Sequence, residues 1–413
     1  MARKMKDSGI EWIGEIPEGW EVVPVKRLCT MQAGKNLTSE QIAPEGTYPV
    51  YGGNGIRGFF SDYNCDGKFL TVGRQGALCG NVHKINGKVW ATEHAVITTP
   101  SSYTILDFLY YLLIGMDLNQ YVSSTAAQPG LAVGTLLNLK TCYPCSTLEQ
   151  TQISNYLNAK CSEIDVMLTK TRSSIEEYKK LKQAVITQAV TKGVRGEREM
   201  KDSGVEWIGE LPKEWGRTKI KMIASFFNGD RTSRYPQPSD FVDSGVAFLT
   251  SRNIDSDEVD LSETKYITED KYKSLSGAKI QIDDIIFCLR GSVGKCAINR
   301  TLSCGTVASS LATIRPKDIY PKYLLYFLLS NIASTQTTIF MNGTCAANLS
   351  AENVGNYYIT LPISTEQKEI ADYLDAKCAE IDKLIAKKEQ LVKELESYKK
   401  SLIYEVVTGK REV

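Results

Sequence analysis

Apolar positions between residues 148 and 191 recur mostly at steps of three and four, with Lys, Glu and Asp between them and no proline. This spacing predicts one long amphipathic helix from Leu148 to Thr191. Roughly 44 residues at ~1.5 Å each form a rod of ~65 Å, which is longer than one small domain needs. Because the apolar seam is narrow, we expect it to pack against a partner helix. The predicted seam residues are Ile153, Leu157, Cys161, Ile164, Leu168, Ile175, Tyr178, Leu181 and Val185.

A second stretch, from Glu366 to Thr408, repeats the pattern and many of the residues. Residues 156–161 match residues 373–378 except for one Asn-to-Asp change, and Glu-Ile-Asp follows in both copies. Ser-Thr followed by Glu-Gln is typical of a helix start and precedes both seams. We therefore predict that the chain supplies its own antiparallel partner helix. The second seam consists of Ile370, Leu374, Cys378, Ile381, Ile385, Val392, Leu395, Leu402 and Val406.

The repeat also includes the segments that precede the two globular regions. Residues 5–17 return with two conservative changes as residues 200–212, and Trp20 corresponds to Trp215. The chain is therefore two copies of one plan, a globule followed by a long helix. Since residues 190–193 also correspond to residues 407–410, we expect a closed arrangement with pseudo-two-fold symmetry. The predicted boundaries are 1–145 and 196–362 for the globules with their entry segments, and 146–195 and 363–413 for the long helices with the tail.

Within the globules, short apolar runs alternate with glycine-rich turns, which predicts two α/β domains in an α+β chain. Residues 48–59 place many turn residues around Asn54 and Arg57. Residues 69–72 predict a strand that ends at Gly73-Arg74-Gln75-Gly76, and residues 285–289 predict a strand that ends at Arg290-Gly291-Ser292. The helices and entry segments match closely, whereas the globules share only a skeleton. This contrast suits two different reading domains at a fixed separation, although divergence without function would also produce it.

The overall charge limits how the chain can bind its ligands. A formal net charge of +1 over 413 residues is not that of a strongly basic protein, so any phosphate contact must come from local patches. Two histidines leave little material for imidazole chemistry. The hydrophobic content of 42% is ample for two cores.

Cysteine usage and hydropathy bear on the compartment. The eleven cysteines are odd in number and scattered, which fits a reduced cytosolic setting. Cys142 and Cys145 form the only tight pair, and a zinc site would need a second pair. The N-terminal residues lack the apolar core of a signal peptide, and the apolar runs at 105–114 and 323–329 are too short to span a bilayer. We therefore expect a cytoplasmic protein that contains no metal and does not enter a membrane.

Enzymatic interpretations have little support in the sequence. A DNA aminomethyltransferase would need an Asn/Asp-Pro-Pro-aromatic motif, and the chain contains no Pro-Pro pair. Residues 291–295 lack the spacing of a phosphate loop, and Cys296 stands where Ser or Thr is required. Glu263-Thr264-Lys265, with Asp257 and Asp260 upstream, weakly resembles a metal-dependent nuclease centre, but such acidic strings are common. A stand-alone metal-dependent DNA endonuclease and a coiled-coil scaffold that binds only protein stay open as alternatives.

The complete layout resembles the specificity subunit of a type I restriction-modification system. The duplicated Trp-Ile-Gly-Glu-x-Pro segment, the Glu-Gln helix starts and Val-Thr-Gly-Lys at 407–410 carry the resemblance, which covers essentially the whole chain. Residues 51–55 together with Gly73-Arg74-x-Gly76 are similar to a common type of target recognition domain in that family. The resemblance implies a non-catalytic subunit in which each domain reads one half of a split site in double-stranded DNA. It also implies that the paired helices hold the domains apart and dock two methyltransferase subunits, joined by restriction and translocase subunits.

The same resemblance implies no cofactor on this chain, with S-adenosylmethionine, ATP and Mg²⁺ bound only by partner subunits. A rigid spacer predicts half-sites about one helical turn apart, centre to centre. Arg, Asn, Gln and Ser would contact base edges, and Lys and backbone amides would contact phosphates. Each candidate could instead be a turn former, a solvated charge or a member of an ion pair. The candidate DNA-contacting residues are Asn54, Arg57, Arg74, Gln75, Arg231, Arg234, Arg252, Asn253, Arg290 and Ser292.

Overall fold

The computed structural model divides into two compact units, each of which contains one predicted globule and part of each long helix. The first unit is Met1–Arg172 with Glu389–Val413, and the second is Ser173–Lys388. Among the described residues, no helix is both long enough and apolar enough to cross a membrane. The described residues are 3–76, 79–122, 130–255, 257–341 and 348–413.

The first unit begins with the duplicated entry segment and continues into a head that we define as residues 20–144. Its strands are β1 (Met5–Asp7), β2 (Glu15–Pro17), β3 (Trp20–Pro24), β4 (Cys29–Ala33), β5 (Tyr48–Gly52), β6 (Gly55–Phe60), β7 (Lys68–Gly73), β8 (Val82–Asn86), β9 (Trp90–Ala91), β10 (Ala95–Pro100) and β11 (Lys140–Pro144). Its helices are α1 (Leu106–Gly115), α2 (Val133–Asn138) and the first part of α3 (Thr147–Lys192).

The second unit contains the rest of α3 and a second head, which we define as residues 216–361. Its strands are β12 (Met200–Asp202), β13 (Glu210–Pro212), β14 (Gly216–Lys219), β15 (Ala224–Asn228), β16 (Phe241–Val242), β17 (Val246–Leu249), β18 (Lys265–Ile267), β19 (Ile285–Cys288), β20 (Cys296–Ile298), β21 (Gly305–Val307), β22 (Leu311–Pro316) and β23 (Tyr358–Leu361). Its helices are α4 (Glu269–Ser274), α5 (Pro321–Leu329), α6 (Asn331–Phe340), α7 (Ala351–Gly355) and the first part of α8 (Ser364–Val407), which ends in the first unit.

A four-stranded antiparallel sheet with the order β4-β10-β7-β8 forms the centre of the first head. β7 is almost completely buried because apolar side chains on both of its faces pack into cores, including Leu70 and Val72 beside Phe108 of α1. A smaller sheet, β6-β5-β9, adds the hairpin β5–β6 and pairs β5 with β9 in parallel. β7 ends at Gly73, so residues 74–76 lie at an edge of this framework.

The second head repeats this topology with different residues. Its central sheet has the order β15-β22-β19-β20, and β17 pairs with β21 in parallel as β5 does with β9. Gly73 lies opposite Ala95 in the first head, and Cys288 lies opposite Leu311 in the second. The repeat predicted from the helices and entry segments therefore includes the hydrogen-bond register of both heads.

The two long helices match the predicted stretches to within two residues at each end. Most predicted seam positions of α3 are buried, from Ile153 to Ile175. The prediction was wrong for Leu181, which is 48% exposed, because an α-helix turns away from a strict heptad and brings other positions inward. Ile186 and Val190 are buried instead, in the core of the second unit.

The third residue of each long helix is a glutamate that is bonded to the repeated tryptophan and to an arginine just before the entry segment. In the first unit, Trp20 Nε1 and Arg3 Nη2 donate to Glu149 Oε1 over 3.1 and 2.5 Å. In the second unit, Trp215 Nε1 and Arg198 Nη2 donate to the carboxylate of Glu366 over 2.9 and 2.6 Å. The repeated tryptophan and the Glu-Gln pair are therefore two parts of one contact.

The glutamine that follows each glutamate connects the helix to its own head. Gln150 Oε1 accepts from the backbone N–H of Ile105, immediately before α1, over 2.8 Å. Gln367 Oε1 accepts from the backbone N–H of Tyr320, immediately before α5, over the same distance. Within each unit, the head is thereby hydrogen-bonded directly to the start of one long helix.

Candidate nucleic-acid interface

In the first head, the tip of the β5–β6 hairpin lies against the turn that follows β7. The tip is the two-residue turn Gly53-Asn54, closed by pairing of Gly52 with Gly55. A Cβ added at Gly53 would lie 2.8 Å from the backbone oxygen of Gln75, so only glycine permits this approach. Asn54 is exposed, and its Oδ1 accepts from Asn81 Nδ2 over 2.7 Å.

The hairpin tip and the turn after β7 border an open cavity of about 650 Å³. Asn54, Arg57 and Gln75, three of the four candidates predicted in the first head, line it. The remaining lining residues are Gly53, Ile56, Gly76 and His94. Ile56, which is 58% exposed, and His94 were not among the predicted residues of this site. His94 lies in the short connection between β9 and β10.

Arg74 is held differently from the other candidates of the first head. It is half-buried, and its Nε donates to the backbone oxygen of Leu131 over 3.2 Å. Its backbone N–H donates to His94 O, and its own carbonyl accepts from the N–H of Leu131, each over 2.9 Å. Arg74 therefore helps to hold the edge together, and a DNA contact by its guanidinium group stays a prediction.

Backbone register also changes which residues of the two heads correspond. Gln75 bridges to Gly130, and Arg290 bridges to Asn348 at the equivalent place in the second head. Arg74 instead corresponds to Leu289, whose carbonyl accepts from the N–H of Leu349. The arginines of the two turns, Arg74 and Arg290, therefore do not occupy equivalent positions and are offset by one residue.

The second head presents a cationic pair at the same edge. Arg290 and Ser292 are exposed on the turn after β19, where Gly291 has a φ of +76°. Arg231 donates from Nε to the backbone oxygen of Ser309 over 3.2 Å. Burial and the nearby charge of Arg290 lower the pKa of Arg231. The neighbouring residue Ser310 accepts through its carbonyl from the N–H of Leu289, which precedes Arg290, so both arginines lie at one edge and create a local positive site on a nearly neutral chain.

The remaining candidates lie in two polar loops of the second head. Arg234 is exposed after β15, and its backbone N–H donates to Thr232 Oγ1 over 3.3 Å. Arg252 is also exposed, with Nη1 3.8 Å from Glu263 Oε2. The exposed ion pair of Arg252 with Glu263 contributes little to stability, so a ligand can replace Glu263. Both arginines are therefore accessible to a ligand.

Asn253 requires a correction, because its side chain is completely buried. Its Oδ1 accepts from the backbone N–H of Thr250 over 2.8 Å, and its Nδ2 donates to Asp260 O and Thr264 Oγ1. The amide thus closes the loop between β17 and β18. The prediction depended on the polar character of this loop, whereas the fold of the loop encloses the Asn253 side chain.

Two residues of the acidic string in the same loop, Asp260 and Thr264, make local hydrogen bonds. Asp260 Oδ1 accepts from the N–H of Ser262 over 2.8 Å, and Thr264 Oγ1 accepts from Asn253. Throughout the described part of the chain, no group of three or more His, Cys, Asp and Glu side chains is arranged to hold a metal ion. Cys142 is buried and Cys145 is exposed, and both are free thiols.

Comparison with known proteins identifies the class to which this two-headed fold belongs. The family model for the type I restriction modification DNA specificity domain matches residues 17–177 and 212–394, once in each half of the chain. The chain belongs to this family. This membership confirms the predicted family, and the double match confirms a repeated, mixed α/β architecture.

Individual relatives are specificity subunits. The EcoprrI specificity subunit of Escherichia coli is 44% identical over 121 residues, which cover 28% of this chain and 30% of that protein. The MjaVIII specificity subunit of Methanocaldococcus jannaschii is 24% identical over 416 residues, which cover 96% of this chain and 93% of that protein. A structure solved in a study of the complex assembly and conformational transition of the type I R-M system has a TM-score of 0.70 at 14% identity, covering 96% of this chain and 99% of its own. The fold is therefore shared over nearly the whole length.

Proposed function

We propose that this chain is the non-catalytic DNA-recognition subunit of a type I restriction-modification complex and that each head reads one half of a bipartite site. The observation that carries the proposal is one strand framework, present twice, with different side chains at the same edge. The first head offers Asn54, Arg57 and Gln75, and the second offers Arg231 and Arg290. Different sets of donors and acceptors at one position recognise different base edges in the major groove.

The proposed role of α3 and α8 is that of an antiparallel coiled-coil spacer. In the first unit, Lys399 Nζ is 2.6 Å from Asp165 Oδ1, and Arg172 Nη2 is 2.5 Å from Glu396 Oε1. Increasing residue numbers in α3 thus pair with decreasing residue numbers in α8, as in two antiparallel helices. In the second unit, Lys182 pairs with Asp382 at 2.8 Å, and Lys388 lies over the ring of Tyr178. The same direction of pairing within each unit supports a pseudo-symmetric spacer that docks two methyltransferase subunits.

Catalysis is proposed to reside on partner subunits. The methyltransferase subunits would bind S-adenosylmethionine, and restriction and translocase subunits would bind ATP and Mg²⁺. Phosphate contacts dominate the affinity of proteins for DNA, and a net charge of +1 supplies few of them. The isolated chain is therefore expected to bind DNA weakly in the cytoplasm, and the partners supply most of the phosphate contacts.

Selection from randomised DNA by the assembled complex tests this function. The chain is purified together with its methyltransferase subunits, bound duplexes are recovered and sequenced, and methylation of the host genome is mapped in parallel. Two short motifs with a constant gap are expected in both data sets. One continuous motif, or no selection, would contradict the proposal. Metal-dependent cleavage by the chain alone would favour a nuclease instead.

A further inference from the structure

Ile56 places an apolar side chain at the tip of the β5–β6 hairpin. It is the second residue of β6, pairs with Tyr51 across the hairpin and is 58% exposed. Among the described residues of the first head, no other large apolar side chain is more than 41% exposed. Single exposed apolar side chains are common on protein surfaces, so the groups around Ile56 decide what it can bind.

The side chains next to Ile56 on the cavity wall supply hydrogen-bond donors. Asn54 Oδ1 accepts from Asn81 Nδ2 over 2.7 Å, so the carbonyl end of the Asn54 amide is engaged and its N–H end stays available to a ligand. A Cβ added at Gly52 would lie 2.3 Å from Arg57 Cδ, so the aliphatic part of Arg57 lies across the hairpin backbone. One cavity therefore combines an exposed apolar side chain with an amide donor and a guanidinium group.

Thymine is the base whose major-groove edge fits an apolar group beside an amide donor. Thymine presents a C5-methyl group next to one acceptor, O4, whereas guanine, adenine and cytosine present no methyl group there. The usual pairing of asparagine with adenine uses both ends of the amide, and Asn81 already engages the carbonyl end of Asn54. The Asn54 amide is therefore better suited to donate to a single acceptor such as O4 of thymine.

We propose that Ile56 is a specificity-determining residue of the first head, which contacts the C5-methyl group of a thymine while Asn54 donates from Nδ2 to O4 of the same base. This inference rests on the proposed function and names one base that the first head reads. Because isoleucine is branched at Cβ, its χ1 is restricted, which gives the exposed side chain a defined position. The second head has a long connection at positions 250–264 in place of the hairpin turn, so the contact is expected in one half-site only.

Replacing thymine by deoxyuridine in the DNA tests the methyl contact, because deoxyuridine keeps O4 and the base pair but lacks the methyl group. Selection first defines the site of the assembled complex, and each thymine of that site is then replaced in turn and measured by competition binding. At one position of one half-site we expect roughly fourfold weaker binding, the effect of removing one buried methyl group. In the complex with Ile56→Ala, deoxyuridine should have no further effect at that position.

Three further variants separate the methyl contact from other effects. Ile56→Val keeps the branched part of the side chain and should lose only part of the preference for thymine over deoxyuridine. Asn54→Ala should weaken binding to both bases alike, since both carry O4. Ile282→Ala is the matched control, because Ile282 is 47% exposed in the second head and precedes β19, at the opposite end of that strand from Arg290. This control should keep the full fourfold preference.

The alternative outcomes are separable. If the natural complex selects no bipartite site, the proposed function fails, and this inference fails with it. If it selects one, the role of Ile56 alone is overturned when no deoxyuridine weakens binding, when Ile56→Ala leaves the loss with deoxyuridine unchanged, or when Ile56→Ala weakens binding to all duplexes equally. Thermal unfolding of each variant complex identifies a loss that comes from misfolding, and if Ile56→Ala misfolds, the smaller change Ile56→Val decides the question.

Discussion

The two heads share a strand order but differ most in one connection. In the first head, residues 53–54 alone join β5 to β6, and the tip of this hairpin meets the turn after β7. In the second head, the connection from β17 to β18 covers positions 250–264, and its described residues enclose the buried amide of Asn253. The stability of each head lies in its buried sheet, so the connections at the edge can change without loss of the fold. A duplicated framework can thus carry two unrelated reading surfaces.

The heads also differ in charge at that edge. In the first head, one arginine lines the cavity with amides and a histidine, and Arg74 is bonded to the backbone beside it, whereas the second head brings Arg231 and Arg290 together. In contrast, the contacts that hold each head to its long helix are nearly identical. Function therefore varies at the strand ends, while the repeated glutamate, glutamine and tryptophan preserve the geometry behind them.

Changing the helices without the heads is expected to have the largest effect. Insertion of about seven residues, close to two helical turns, in register in both α3 and α8 should abolish binding to the original site and select a longer gap. Both half-site sequences should stay the same, because no head residue changes. Selection from randomised DNA measures the gap directly, and an unchanged gap would exclude the helices as the spacer.

The glutamates at the helix starts should differ in their contribution to stability. Glu366 is almost completely buried, so Glu366→Ala leaves the Trp215 N–H without an acceptor and removes one carboxylate from Arg198, which keeps Glu214 and the backbone oxygen of Lys192. The substitution should cost about 3 kcal/mol of unfolding free energy. Glu149 is 27% exposed, so Glu149→Ala should cost only about 1 kcal/mol. Urea unfolding, with hydrogen exchange followed in each unit, tests the difference. Equal losses would show that burial does not distinguish the two contacts.

Two asparagines separate a structural from a recognition role. Asn253→Ala should destabilise the second unit by about 1–3 kcal/mol, because the N–H of Thr250 loses its acceptor and the carbonyl of Asp260 loses a donor. Asn54→Ala removes an exposed side chain, so it should leave the unfolding free energy nearly unchanged and alter one half-site. Parallel measurements of unfolding and DNA selection check both expectations. A change in base preference in a fully folded Asn253→Ala variant would contradict the structural role.

Arginine substitutions should affect one half-site each. Arg57→Ala should weaken recognition of one half-site by about 1–3 kcal/mol, and Arg290→Ala should do the same for the other. Competition binding with the assembled complex on matched and single-mismatch duplexes measures both values. A uniform loss on all duplexes would indicate a phosphate contact, and Arg74→Ala provides the comparison for an arginine whose Nε is bonded to the backbone.

The smallest expected effect is a pH dependence confined to the first unit. Burial lowers the pKa of His83, so the unfolded chain binds a proton at a higher pH than the folded one. Stability of the first unit should therefore fall as the pH decreases from about 7 to 5, through the ordinary histidine range. The second unit contains no histidine and should lack this dependence. Unfolding curves at both pH values test it, and His83→Gln should reduce the slope.

Periodicity and repetition in the sequence determined the long helices, the duplicated plan and one central strand in each head. β7 and β19 lie where short apolar runs predicted strands, and the apolar runs at 105–114 and 323–329 coincide with α1 and α5. These features depend on contacts between near neighbours and on spacing that recurs along the chain. They could be obtained without knowledge of which strands pair.

Only the tertiary structure decided which loop residues share a site. The pairing of β7 with β10 brings His94 to the turn at Gln75, and it shows that Gln75, not Arg74, corresponds to Arg290. Closure of a loop over Asn253 removed that residue from the surface. These arrangements join residues that are distant in sequence, and a displacement of one residue in strand register changes which side chains face the edge. The residue types of each loop therefore indicated polar side chains, whereas hydrogen bonds between residues distant in sequence determined where those side chains lie.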